Sequence, residues 1–251
     1  MLLDIINTAF IVDTIGMLGF ALAGILAARG REVDPVGIFV LAFTTAFGGG
    51  LIRDIIIDSR PFYWVANDEY VWGILVLTFF APRIVRNLQD ETAHRLYLWA
   101  DAIGLGSFCA SGTLMADNAG FPALPAVLVG VCTGVFGGLL RDVFLNRMPS
   151  VLSDRKPYAI VGFFGGWLLI GLLKIGVSPS ASTAIATLFI TIVRMGTYTM
   201  GYEIRYRTLI ARQIFPGNGP KPPLKLYERL SKKTTPRQDG EAKSEDEKKP
   251  L

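Results

Sequence analysis

The chain has 251 residues, of which 51% are hydrophobic and 18% are charged, and its formal net charge is +4. Its mean hydropathy is +0.42. Because soluble globular domains carry about 25% charged residues, this composition excludes an ordinary soluble domain and predicts an all-α membrane protein.

Seven apolar stretches predict seven transmembrane helices. A helix that crosses a bilayer needs about 20 mainly apolar residues, and the third and sixth stretches are the shortest. In chain order, the stretches are Phe10 to Ala28, Val36 to Ile57, Val71 to Ile84, Leu96 to Met115, Ala123 to Leu145, Tyr158 to Lys174 and Ser182 to Met200.

The basic residues of the connections predict the orientation. Every second connection is rich in Lys and Arg, and by the positive-inside rule these connections are cytoplasmic. Seven spans then place the N-terminus outside and the C-terminus in the cytoplasm. The basic residues assigned to the cytoplasmic connections are Arg29, Arg31, Arg83, Arg86, Arg95, Arg147, Arg155 and Lys156, whereas the other connections carry little beyond Arg60 and Lys174.

Residues 211–251 differ in composition from the rest, being rich in Pro, Lys, Glu, Asp and Ser. Such a segment buries too little apolar surface to offset the entropy of ordering it, so we expect a disordered cytoplasmic tail. Basic residues just beyond the last span could contact anionic membrane lipids, although the orientation signal explains them equally well. They are Arg205, Arg207, Arg212, Lys221 and Lys225.

The chain contains an internal repeat. A shift of 88 positions aligns about 15 identical residues over about 58 positions without a gap, and rare residues stay in register. Each copy holds three spans, an odd number, so the second copy enters the membrane from the opposite side and the repeat is inverted. The aligned pairs include Asp13 with Asp101, Phe20 with Phe108, Thr45 with Thr133, Arg53 with Arg141, Asp54 with Asp142 and Pro61 with Pro149.

The repeat divides the chain into four parts. We expect a first three-helix repeat over 1–90, a second, inverted three-helix repeat over 91–176, a seventh transmembrane helix within 177–210 and the tail over 211–251. A pseudo-twofold axis in the membrane plane would place a shared site between the two repeats, near the bilayer centre.

Two glycine clusters lie at equivalent positions of the second and fifth spans: Gly48, Gly49 and Gly50, and then Gly137 and Gly138. Glycine costs about 1 kcal/mol relative to Ala inside a helix, so we predict that both helices kink or break there. Broken backbone at membrane depth persists only beside protein or a water-filled cavity, which favours a polar pathway. The alternative is that the glycines only permit close helix packing.

An Arg-Asp pair follows each glycine cluster. An ionisable residue at the bilayer centre costs about 2.5–3.5 kcal/mol on insertion scales and usually has a partner inside the bundle. Because adjacent residues of a helix point in different directions, we do not expect Asp54 to neutralise Arg53. Instead, we predict two ion pairs between residues at equal depth, Asp13 with Arg53 and Asp101 with Arg141.

These pairs would leave Asp54 and Asp142 as unbalanced carboxylates near the two mouths of a pathway, suited to concentrating cations. Thr45 and Thr133, one turn before the glycine clusters, could offer hydroxyl oxygens within it. The rival interpretation is that all four charges of the two Arg-Asp pairs snorkel to the membrane interfaces and have no role in conduction.

The sequence carries no signature of catalysis or of a cofactor. It offers no nucleophile with a base and an orienting partner, no phosphate-binding loop and no metal-ligand spacing around His94, Cys109 or Cys132. We therefore expect no enzymatic activity, no cofactor, no structural metal and no nucleic-acid partner, and only transient monovalent cations as ions.

The chain resembles the prokaryotic branch of the trimeric intracellular cation (TRIC) channel family in its two Gly-Gly-Leu-x-Arg-Asp motifs. The first motif is followed by Pro61 and the segment Phe62 to Val65, and the second by Asn146 to Pro149. The resemblance covers about Phe10 to Met200. Some bacterial members of this family have been classed as glycine transporters.

The resemblance implies a homotrimer in a bacterial inner membrane, in which each subunit has its own pore for potassium and sodium. In that family the second and fifth helices kink at glycine motifs and line an hourglass-shaped pore. The two glycine clusters match these kinks, and Phe136 stands where the second cluster would have a third glycine, so the resemblance implies a smaller second kink.

Three interpretations stay open from the sequence. They are a monovalent cation channel, a secondary transporter for a small solute such as glycine, and a membrane protein whose polar core serves only assembly. Inverted repeats are common in transporters, so the repeat does not separate the first two. The paired glycine clusters and the resemblance favour the channel.

Overall fold

A computed structural model of the chain describes residues 2–86, 88–153 and 157–200, and over these residues the protein is built from helices. Within these ranges, seven helices have 16 residues or more and two have four. They are α1 (Leu2–Ala27), α2 (Pro35–Ile56), α3 (Tyr63–Ala66), α4 (Asp68–Arg86), α5 (Asp90–Asn118), α6 (Ala123–Phe144), α7 (Ser150–Ser153), α8 (Ala159–Lys174) and α9 (Pro179–Thr199).

The long helices correspond one to one with the seven predicted spans. Most helix ends lie within a few residues of the predicted ends, although α1 and α5 begin earlier than predicted. Three of them, α2, α6 and α9, are both long enough and apolar enough to cross a membrane, and Ile11–Ala27 and α8 are shorter apolar helices. The number of membrane crossings therefore stays a prediction. The predicted tail and its basic residues lie outside the described residues.

Local sequence signals determine where several helices begin and end. Asp34 caps α2 by accepting a hydrogen bond from the backbone N–H of Gly37 at 2.7 Å, and Pro35 occupies the first helical position. Ser178 and Pro179 start α9 in the same way. After α2 and α6 the chain reverses through Asp58 and Asn146, which adopt positive φ angles of 53° and 50°; Asn and Asp tolerate this conformation best among non-glycine residues.

The predicted repeat is present in the helices themselves. A shift of 88 positions carries both ends of α2 onto both ends of α6, the start of α1 onto the start of α5, and the end of α4 onto the end of α8. It also carries Asp58 onto Asn146, the two positive-φ residues of the reversals. The short helices α3 and α7, which the sequence did not predict, follow these reversals in both halves.

The two halves run in opposite directions. Along α1, Gly16 faces Ser107 of α5, whereas Gly19, one turn later, faces Ala100 and Gly104, so α1 and α5 are antiparallel. The ring of Phe20 stacks on that of Phe108, its own equivalent, with centroids 5.4 Å apart. A residue that contacts its own equivalent lies at a two-fold axis, so the axis between the halves passes through this aromatic pair.

The glycine clusters bring α2 and α6 into close contact. A Cβ atom on Gly49 would lie 1.9 Å from the carbonyl oxygen of Thr133, and one on Gly137 would lie 2.2 Å from that of Thr45. Both helices keep their helical hydrogen bonding across the clusters, so the expected break in the backbone is wrong, whereas a kink at the glycines stays a prediction. At these two positions the glycines serve close packing, which the sequence analysis had held as the alternative.

Helix α5 lies at the centre of the described structure, where it contacts α1, α6, α8 and α9. Helix α9, outside the repeat, packs against α5 and α8. Large apolar side chains cover the outward faces of α4, α8 and α9, among them Trp72, Phe79, Phe164 and Leu188. An apolar surface of this extent suits contact with lipid rather than water.

We expect Gly49→Ala and Gly137→Ala to lower the free energy of unfolding by about 1–3 kcal/mol each, because the added methyl group must push α2 and α6 apart. Thermal or denaturant unfolding of the purified protein in detergent measures this. Gly73→Ala on α4 is the matched control, since its Cβ would meet nothing within 4 Å, and it should leave stability unchanged or raise it by up to about 1 kcal/mol. Equal midpoints for all three variants would contradict the close contact.

Candidate functional site

The Arg-Asp pairs that end α2 and α6 are buried inside the helix bundle. The exposed fraction is 1% for Arg53, 2% for Asp54, 0% for Arg141 and 1% for Asp142. Snorkelling of these four charges to the membrane interfaces is therefore wrong for this structure. A charge so far from solvent requires a partner, since the energy of an isolated buried ion is prohibitive.

Each arginine is bound by the aspartate that follows it. The Nε of Arg53 donates to Oδ1 of Asp54 at 2.9 Å, and the Nε of Arg141 donates to Oδ1 of Asp142 at 2.9 Å. The expectation that neighbours on a helix cannot pair is therefore wrong. That expectation took account only of the directions of the Cβ atoms. The three methylene groups of the Arg side chain are flexible enough to place its guanidinium beside the adjacent residue.

The same aspartates also hold the chain after the reversal. The second oxygen of Asp54 accepts a hydrogen bond from the backbone N–H of Tyr63, and that of Asp142 accepts one from Ser150, both at 2.8 Å. These donors lie at the starts of α3 and α7. The prediction of unbalanced carboxylates at two pathway mouths is wrong, because Asp54 is paired with Arg53, and Asp142 with Arg141 and Arg147.

The two predicted long-range ion pairs have different outcomes. Asp101 Oδ1 lies 2.9 Å from Nη1 of Arg141, so the structure brings this pair together. No ion pair joins Asp13 to Arg53 among the described residues, although the two charges interact over a longer distance. The guanidinium of Arg53 is turned towards Asp54, with Nη2 2.8 Å from Oδ1.

Arg147 adds a second guanidinium to the second half. Its Nη2 lies 2.6 Å from Oδ1 of Asp142 and its Nε lies 3.0 Å away. In the sequence, Arg147 is an orientation signal and lies in the segment that follows the second motif. The repeat offered a further signal, because the shift of 88 positions places Ser59 opposite Arg147 and so shows that one half carries a charge the other lacks.

The two halves therefore contain clusters of unequal charge. We call Asp13, Arg53 and Asp54 the first-half cluster, which has two carboxylates and one guanidinium. We call Asp101, Arg141, Asp142 and Arg147 the second-half cluster, which has two of each. Aromatic rings cover both arginines, that of Tyr63 at 5.7 Å from Arg53 and that of Tyr97 at 5.1 Å from Arg141.

A small cavity adjoins the first-half cluster. Its volume is about 10 Å³, close to the space that one water molecule requires. Oδ1 of Asp13, which borders it, has no hydrogen-bond partner among the described residues, and the hydroxyl of Tyr63 at its edge lies beside Tyr70. Gly50 also borders the cavity, and a Cβ there would meet only Arg53, at 3.7 Å.

The two threonines of the prediction lie between the helices, fully buried. The hydroxyl of Thr45 donates to the carbonyl of Leu41 at 2.5 Å, and that of Thr133 donates to the carbonyl of Val129 at 2.7 Å. Both hydroxyl protons are thus used within their own helices. A role of these oxygens in a pathway stays a prediction.

A third buried arginine lies outside the predicted site. Arg194 of α9 is 1% exposed; it donates to the carbonyl of Pro157 at 2.9 Å and to the hydroxyl of Tyr198 at 2.7 Å. The rings of Tyr158 and Tyr198 each lie 4.5 Å from its guanidinium carbon. Arg194 is absent from the predicted site, although an arginine inside the seventh predicted span carries the same energetic cost as Arg53.

Comparison with known proteins connects both halves to one family. The family model described as glycine transporter matches residues 10–83 and 98–174, one segment in each repeat. A UPF0126 membrane protein of Vibrio cholerae is 34% identical over 191 residues, which are 74% of this chain and 77% of that protein. The UPF0126 inner membrane protein YadS of Escherichia coli is 36% identical over 159 residues, 62% of this chain and 74% of its own.

The structure is similar to that of the TRIC trimeric intracellular cation channel orthologue from Rhodobacter sphaeroides. The TM-score is 0.72 at 28% sequence identity, and the match covers 77% of this chain and 98% of that one. The chain is therefore an integral membrane protein with a TRIC-like fold, as the motifs predicted.

We expect Asp142→Asn to lower the free energy of unfolding by about 3–5 kcal/mol, because a neutral amide no longer compensates the buried guanidinium of Arg141 or the partly exposed one of Arg147. Denaturant unfolding in detergent measures the loss. Glu91→Gln is the control, since the Arg95–Glu91 pair is exposed on both sides and should contribute less than about 1 kcal/mol. The interpretation fails if both variants unfold at the wild-type midpoint.

Proposed function

The chain belongs to the glycine transporter (UPF0126) family, and from its likeness to a cation channel we propose that it is a channel for monovalent cations, potassium and sodium. The observation that carries the proposal is the match to nearly the whole length of the Rhodobacter channel, 98% of that chain, at 28% identity. We further propose that the protein assembles as a homotrimer, as that relative does, with a pathway through each subunit along α2 and α6.

Features of this chain support a polar pathway between the halves. The interior of the bundle holds six ionisable side chains in two clusters, and Arg147 adds a partly exposed seventh, which is unusual for a helix bundle in a membrane. The cavity beside Gly50 and Asp13 lies next to α2, where the sequence predicted the pathway. In this proposal the carboxyl group of Asp13 attracts the cation, and Gly50, which has no side chain beside the cavity, leaves room for its passage.

Transport of glycine is the second candidate, favoured by the description of the family model that matches both repeats. An inverted repeat suits alternating access around a central site. The two candidates differ in kinetics, because a channel passes ions down a gradient at high unitary rates whereas a transporter shows saturable exchange of its solute.

Purified protein in planar bilayers and liposomes separates these candidates. The channel predicts unitary potassium and sodium currents in symmetric salt, with no saturable uptake of labelled glycine. Saturable glycine counterflow without unitary currents would replace the channel by the transporter. Absence of both activities would leave a structural role for the polar interior.

We expect Gly50→Val to reduce the potassium current at least tenfold while the protein stays folded, because its side chain would enter the cavity bordered by Gly50 without meeting backbone. Gly73→Val on the outer face of α4 is the control, since nothing lies within 4 Å of its Cβ position. Single-channel recording and a thermal unfolding curve of each variant check both parts. A Gly50→Val channel with wild-type current would remove the cavity from the pathway.

A further inference from the structure

A second cavity lies at the end of the bundle where the basic connections predict the cytoplasmic side. Its volume is about 250 Å³, and it is bounded by the end of α1, the connection to α2, the first turn of α2 and the end of α4. None of the residues that line it belongs to the two charged clusters. Its walls are apolar and are formed by Ile25, Ala28, Val33, Ile38, Ala81 and Val85.

Two arginines, Arg29 and Arg31, form the polar rim of this cavity. Nη2 of Arg29 donates to the carbonyl of Leu88 at 2.6 Å and lies 3.0 Å from Oδ1 of Asp90, so this guanidinium is held in place. Asp90 is 99% exposed, and an ion pair with a carboxylate in water is weak. Arg31 is exposed and has no ion pair with a described residue, and Glu32 is not among the described residues that line the cavity. The rim is therefore positively charged.

The second half has neither the basic rim nor the small side chain that α4 contributes to the wall. The shift of 88 positions replaces the two arginines by an acidic and a small residue, and it replaces Ala81 by Leu169, which is 0% exposed and packs within the bundle. The basic rim is thus a property of the first half rather than of the shared frame. The equivalent pairs are Arg29 with Asp117, Arg31 with Ala119, and Ala81 with Leu169.

We propose that this cavity binds one anionic phospholipid of the adjoining leaflet, with part of an acyl chain between α1, α2 and α4 and the phosphodiester group beside Arg29 and Arg31. The lipid carries a single phosphate and no compensating amine, as phosphatidylglycerol does. The site does not depend on the proposed channel function, since a channel and a transporter could both carry it.

The apolar walls and the basic rim have different roles in this binding. An acyl chain that enters the cavity leaves a bilayer that is equally apolar, so the hydrophobic effect contributes little to the affinity. The head group supplies the selectivity, because Arg binds phosphate through charge-assisted hydrogen bonds and basic pockets between transmembrane helices on the cytoplasmic side bind anionic head groups. A zwitterionic head group would bring a positive charge close to the same arginines.

The volume of the cavity also suits part of a lipid. Pockets for drug-sized ligands measure about 300–1,000 Å³, so 250 Å³ accommodates a section of one chain rather than a whole molecule. A free phosphate ion would leave the apolar walls unfilled. A lipid whose remaining chain stays in the bilayer satisfies both the walls and the rim.

Thermal unfolding of the full-length protein in detergent tests the site. The midpoint is measured after addition of phosphatidylglycerol, phosphatidylcholine or inorganic phosphate. Because a ligand that binds only the folded state stabilises it, we expect phosphatidylglycerol at about 100 times its Kd to raise the midpoint by roughly 5–10 °C over phosphatidylcholine. Equal midpoints in the two lipids would overturn the site. An equal rise with inorganic phosphate would show that a free anion is the ligand and that the lipid proposal is wrong.

Arg31→Gln removes one charge from the rim, and we expect it to weaken phosphatidylglycerol binding about tenfold, measured by native mass spectrometry of the protein with its retained lipid. Arg83→Gln is the matched control. It removes the same charge from an exposed position of α4 that lies about 200° around the helix from Ala81 and from Val85, so it should leave the affinity unchanged. Equal weakening by both variants would show a general effect of surface charge and would overturn the site.

Ala81→Leu gives the first half the side chain of the second and should fill the wall of the cavity. We expect it to lower the retention of phosphatidylglycerol about tenfold, whereas Gly73→Leu on the outer face of α4, where nothing lies within 4 Å of the Cβ position, should retain the lipid as the wild type does. Wild-type retention by a folded Ala81→Leu protein would exclude the acyl chain from the cavity. Arg31→Gln decides the matter if Ala81→Leu does not fold.

A protein partner, such as a second copy of the chain, is the other occupant that such a groove could accept. In that case Arg31→Gln and Ala81→Leu would change the mass of the assembly in detergent and leave the preference for phosphatidylglycerol intact. That result would overturn the lipid site.

Discussion

The close contact between α2 and α6 is the constraint on which the described structure depends. Each helix presents a glycine, Gly49 or Gly137, to a threonine carbonyl of the other, and a side chain at either position would hold them apart. Arg53 and Arg141 follow these glycines by about one helical turn. The contact therefore places both guanidinium groups within the bundle, where each must be neutralised by a carboxylate.

That neutralisation also organises the ends of the helices. One carboxylate group, on Asp54 or Asp142, binds the preceding arginine through one oxygen and the backbone of the next short helix through the other. The Arg-Asp motif thus forms a corner of the fold, and the described structure contains two such corners. Both corners have the same backbone hydrogen bonds, so charge is what distinguishes the two halves.

The sequence was sufficient to predict the long helices, the repeat and the Asp101–Arg141 contact. The length of an apolar stretch, the register of the repeat and the cost of a buried charge can all be read from the sequence alone. It was insufficient where the chain folds back. Neither the bond of Arg53 to its neighbour nor the partner of Arg147 follows from helix geometry, since both depend on side-chain conformation and on the reversal after each helix. The sequence predicted a break at the glycine clusters because the energetic cost of glycine inside a helix is known from the sequence, whereas the contact between α2 and α6 that requires glycine is not.

The stack of Phe20 on Phe108 bears on the ancestry of the chain. A side chain that meets its own equivalent is what a symmetric homodimer has at its axis, so the pair marks where two copies of a three-helix protein would have met before their genes fused. In such a dimer any substitution appears twice, and Ser59 and Arg147 could not differ. Duplication made the two positions independent, so that one half can carry two guanidinium groups for its two carboxyl groups while the other carries one.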